Sequence, residues 1–93
     1  VLLPGSSDRP CADGTALRGI GAFVTRATRE GDVMGAASER LSPAEAIAAY
    51  TSVAAIASGQ GAEKGTLSRG KLADFVALDA HPAEVAPADI ADI

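Results

Sequence analysis

Chemistry in this sequence concentrates on one carboxylate. Gly5-Ser6-Ser7-Asp8-Arg9-Pro10 follows the apolar run Val1-Leu2-Leu3 and Pro4, and its small residues form a turn that presents Asp8. On spacing alone Asp8 is a turn or helix-capping residue. Ser6 and Ser7 would need a histidine to activate them as nucleophiles, and none is placed to do so, so they are turn residues. Cys11 has only Arg9 nearby to lower its pKa, and it is expected to fill an apolar gap rather than react. His81, the one histidine, stands before Pro82 as a surface-loop residue and not a metal ligand. Arg18, Arg26 and Arg29 could hold an anion, but a solvated face is the plainer reading. Gly65 and Gly70 are too sparse for a phosphate cradle and suit turns.

The elements that must position Asp8 can be read from pattern. Val1-Leu2-Leu3 is compatible with the end of a buried strand. Leu17, Ile20, Val24 and Ala27, widened by Phe23, recur at helical spacing, which predicts a helix over 15–29 with the arginines on its far face. Residues 30–40 carry two glycines and no period, and read as a loop able to move. Ser42-Pro43-Ala44-Glu45 is a capping box with proline at the first helical position, and Leu41 before it can staple onto the first turn. The helix it opens should run to about Ser58 and stop at Gly59-Gln60-Gly61. Its apolar residues occupy nearly every side, as in a helix buried on more than one face. Lys64–Leu67 and Asp74–Asp79 then read as two strands joined by a turn at Ser68-Arg69-Gly70, and Phe75-Val76-Ala77-Leu78 has the continuous apolar character of a strand covered on both faces. Prolines punctuate the tail, where Ile90-Ala91-Asp92-Ile93 could begin one more short element.

Composition bounds the remainder. Ninety-three residues make one small domain or part of a larger one. Hydrophobic residues make up 47%, yet aromatics only 3%, and alanine alone supplies 21 positions, so the core should be thin unless it packs on something else. A net charge of −4 argues against a nucleic-acid backbone as partner. One cysteine forms no internal disulfide, no apolar run is long enough to span a membrane, and no signal peptide is evident. A cytoplasmic origin is the resulting expectation. A start at Val1 without methionine suits a processed or truncated product.

Four motifs in order resemble the amidohydrolase superfamily, and most nearly its third-group amidohydrolase subfamily. They are Ser7-Asp8-Arg9-Pro10, the segment Ala16 to Arg26, the segment Leu41 to Thr51, and Gly65 to Asp79. The resemblance implies an α/β fold: the C-terminal fragment of a (β/α)8 barrel, its last strand and helices in residues 1–60, with part of a β-sandwich composite domain in 61–93. It implies that Asp8 lies at the C-terminal end of a barrel strand, where that fold places its chemistry, approaches the metal and accepts a proton from the attacking water. The implied cofactor is a divalent metal, zinc first, in the full-length enzyme. The other usual ligands of such a site are absent from this sequence, so the fragment alone is expected to bind no metal and to be inactive. The implied substrate is a small-molecule amide, with no nucleic acid and no membrane as partner. A second reading, from the all-round apolar helix and the strand at 75–78, is a docking module that self-associates through exposed apolar surface.

Overall fold

A computed structural model describes residues 1–12 and 14–93. The described residues form three α-helices: α1 (Ala16–Thr25), α2 (Pro43–Tyr50) and α3 (Ser52–Ala57). Two 3-10 segments, Ala37–Glu39 and Pro87–Asp92, complete the regular structure. Helix α1 packs on one side against α2 and on another against the C-terminal 3-10 segment. The core where they meet is Ile20, Val24, Ala46 and Ile90, with Leu17, Phe23, Leu41, Ile47, Tyr50 and Val85 packed around it. Of the six buried hydrophobic residues three are alanines, so the core is as thin as the composition implies. The Cα radius of gyration of 13.7 Å exceeds the about 12 Å typical of a compact chain this long.

Helix α1 opens at Thr15, whose hydroxyl accepts from the Arg18 N–H at 3.3 Å. It ends four residues before the predicted Arg29. Arg26 turns left-handed (φ 57°), and its N–H still reaches Ala22 O at 2.8 Å. The chain then doubles back. Met34 N donates to Arg26 O, Thr28 N donates to Asp32 O, and Ala27 pairs with Val33 in an isolated antiparallel bridge. These non-local bonds outweigh the helical continuation that the Ala27 spacing suggested. Of the three arginines, only Arg18 lies within the helix. The loop of residues 30–40 is therefore tied down in part. The Arg26 side chain donates to Met34 O (3.2 Å) and meets Glu39 (3.4 Å), while Glu39 also accepts from Ala36 N.

The capping box is formed as the sequence predicts. Ser42 Oγ accepts from Glu45 N at 3.3 Å, and Glu45 Oε2 accepts from Ser42 N at 2.8 Å. Leu41 N–H donates to Phe23 O, which fastens the start of α2 to the end of α1. The single helix expected over 43–58 breaks at Thr51 (φ −124°, ψ −92°). Its hydroxyl takes the Ile47 carbonyl at 2.8 Å while its N–H shifts to Ala48 O at 3.2 Å, the local competition through which threonine bends helices. Beyond Ala57 the chain stops in a Schellman arrangement: Gly59 at φ 74°, Gln60 N on Ala55 O and Gly59 N on Ile56 O.

Three expected strands are not formed. Val1, Leu2 and Leu3 are exposed and irregular. Residues 64–67 follow bends, and 74–79 run as irregular chain in which, among the described residues, no backbone group of 73–80 is hydrogen-bonded. A strand needs a neighbour to complete its ladder, and this chain presents none to Phe75 and Val76, each 74% exposed. Neither barrel nor sandwich is therefore displayed by the described residues. The turn between the two segments does form, with Lys71 N on Ser68 O and Gly70 at φ 87°.

Candidate functional site

Asp8 occupies a tight turn. Its φ of 52° is left-handed, a conformation that aspartate tolerates better than most residues. Its N–H donates to Ser6 Oγ at 3.3 Å, and its carbonyl accepts from Ala12 N at 3.0 Å. Both backbone groups are thus engaged while the exposed carboxylate has, among the described residues, no hydrogen-bond or ionic partner. That leaves it available as a base or a ligand.

The turn is held against the helices from one side. Gly5 N donates to Ala49 O at 2.9 Å, and the Tyr50 hydroxyl donates to Ser6 O at 3.3 Å. Tyr50 lies in a tilted contact with Phe23, their ring centroids 5.8 Å apart. Partial burial pushes the Tyr50 hydroxyl above its ordinary pKa of 10. Sequence reasoning placed Tyr50 only among the apolar residues of a helix. Its hydroxyl contact across 44 residues leaves no periodic signal.

The other candidates serve the chain itself. Ser6 and Ser7 lie in irregular chain just ahead of the turn over residues 9–11 rather than in it, and Ser6 uses both its oxygens to hold that segment. Cys11 is exposed and does not fill an apolar gap. His81 is exposed, and its Nδ1 accepts from Ala83 N at 3.1 Å, a local turn contact. Gly65 (φ 94°) and Gly70 take turn conformations that favour glycine.

An open groove of about 860 Å³ runs between the helices and residues 64–82. Leu17, Ile47, Ala54, Phe75 and Leu78 give it apolar walls, and Lys64, Asp74 and His81 also border it. Among the described residues no three His, Cys, Asp or Glu side chains stand together as metal ligands. A zinc centre takes three or four such donors. The described residues therefore do not fit a complete metal site, and Asp8 is at most one member of one.

The family model described as "Amidohydrolase family" matches residues 1–93. This chain belongs to the amidohydrolase family. An N-substituted formamide deformylase of Arthrobacter pascens is 31% identical to this amidohydrolase chain over 88 residues, which cover 95% of the chain and 16% of that relative. The chain thus spans about one sixth of the length of the curated relative it matches. No solved structure matches it. No described helix is long and apolar enough to cross a membrane.

Proposed function

We propose that this chain is the C-terminal portion of a metal-dependent amidohydrolase that cleaves a C–N bond of a small-molecule amide with water. The family match along the whole chain carries this reading. In it, residues 1–60 close the hydrolase barrel and 61–93 contribute to the sandwich domain. The relative's name suggests the substrate class, an N-substituted formamide or a similar N-acyl compound.

Asp8 is the residue given a chemical role. A free carboxylate on a turn pinned at both its backbone groups can take a proton from the attacking water as oxygen bonds to the acyl carbon. It then returns that proton to the nitrogen as the C–N bond breaks, giving a carboxylic acid and an amine. The divalent metal, zinc by the resemblance, requires ligands that this chain's described residues do not supply.

The test is Asp8→Asn in the complete polypeptide, with formate release from N-butylformamide as the assay. Asparagine tolerates the same left-handed φ, so the turn is retained. Loss of a positioned proton acceptor lowers kcat by about 10²–10⁴-fold. Undiminished turnover would remove Asp8 from the mechanism. The 93-residue chain alone should release no formate.

A second reading is supported by the exposed apolar side chains of Leu67, Phe75 and Val76 beside the groove. A docking module would bury this surface against a partner or a second copy. Sedimentation equilibrium separates the two states: a monomer at high concentration argues against self-association.

A further inference from the structure

Two glycines far apart in sequence make room for one ring. A Cβ on Gly5 would lie 2.6 Å from Tyr50 Cδ2, and a Cβ on Gly19 would lie 2.5 Å from Tyr50 Cζ. Both are overlaps that a real side chain does not make. Gly19 is the more telling, because it sits inside α1, where glycine is about 1 kcal/mol worse than alanine. Its presence there is accounted for by the Tyr50 hydroxyl, which occupies the space of the missing methyl group.

From that slot the hydroxyl donates to Ser6 O, and Ser6 Oγ accepts from the N–H of Asp8. The Gly5 N–H fixes the same segment to Ala49, the residue before Tyr50. We propose that Tyr50, seated in the slot formed by Gly5 and Gly19, is a positioning residue that sets the place of Asp8 through Ser6. The inference rests on the proton-accepting role of Asp8 and adds what holds that carboxylate still. Misplacing a reacting group by about 1 Å lowers rate by as much as 10²-fold without altering the group itself.

The experiment uses the complete polypeptide with N-butylformamide, and amide hydrogen exchange in the 93-residue chain. Tyr50→Leu and Gly19→Ala should each lower kcat at least tenfold with KM within twofold. Tyr50→Phe, which keeps the ring in its slot and removes only the hydroxyl bond to Ser6 O, should lower kcat at least about threefold but by less than Tyr50→Leu. The pair Tyr50→Leu with Gly19→Ala should be no worse than Tyr50→Leu alone, since both act on one contact. Val24→Ala, a core variant outside the Gly5–Gly19–Tyr50 slot, should lower the melting temperature and leave kcat unchanged below it.

In the isolated chain, Tyr50→Leu should speed exchange of the Gly5 N–H at least tenfold. Unchanged exchange, or kcat within twofold for Tyr50→Leu and Gly19→Ala while Asp8→Asn is inactive, overturns the positioning role and leaves the hydrolase reading standing. Full turnover by Asp8→Asn overturns both. Should Gly19→Ala fail to fold, the Tyr50 variants decide the matter.

Discussion

Replacing Ile90 by alanine should remove most of this chain's stability. Among the described residues Ile90 is the one large side chain wholly closed to solvent, and it joins the C-terminal 3-10 segment to Ile20, Val24 and Ala46. A buried Ile→Ala change costs about 2–5 kcal/mol, from lost burial and the cavity left behind. A core with three alanines among its six buried hydrophobic residues belongs at the low end of native stability, about 5 kcal/mol for a chain this long. A loss of about 3 kcal/mol would lower Tm by about 12–24 °C, at about 4–8 °C per kcal/mol in small domains. Phe75 is the control, larger in volume but 74% exposed, so Phe75→Ala should stay within about 0.5 kcal/mol. Thermal unfolding followed by circular dichroism reads both. The reasoning is refuted if Ile90→Ala melts within about 2 °C of the parent while Phe75→Ala loses more. That pattern would mean that the 74–79 segment, and not the tail, is what the helices pack against.

Other outcomes follow from local geometry. Hydrogen bonds from the Ser42 hydroxyl and the Ser42 N–H hold the Glu45 carboxyl below its ordinary 4.5. A depressed folded-state pKa contributes stability above the unfolded value, lost as pH falls through the folded one, so α2 should fray in acid below about pH 4.5. Ser42→Ala, which removes the hydroxyl, should cost about 1 kcal/mol at pH 7 and flatten that acid dependence; an unaltered helicity-against-pH curve would contradict this. Gly59→Ala meets no atom within 4 Å and should lose only the left-handed penalty, about 1–2 kcal/mol. Gly65→Ala adds an overlap at 2.6 Å with the Ala55 Cβ, so its urea midpoint should fall further than that of Gly59→Ala, and an equal shift would count against the packing of residue 65 on α3.

The sequence readings that rested on a single cap or turn agree with the structure, whereas the uninterrupted helix over 43–58 does not, because Thr51 breaks it. The Ser42–Glu45 cap, proline at the start of α2, the stop at Gly59 and the turn at Gly70 each need only their own neighbours. The family was likewise legible in the ordered motifs from Ser7 to Asp79. Asp8 could be singled out from those motifs, but its left-handed turn and the bonds that hold it could not.

Tertiary structure decided the rest, because the deciding partners lie far along the chain. Helix α1 ends at Thr25 since Arg26 finds Met34 and Glu39. Ile90, in a proline-rich tail with no helical or strand period, is buried because α1 offers it a face. The apolar run at 75–78 has strand composition but no ladder, since composition supplies a strand's surface and only a second chain segment supplies its hydrogen bonds. Gly5, Gly19 and Tyr50 meet through three-dimensional packing alone: a glycine's missing side chain signals nothing in sequence until the atom that fills its space is known.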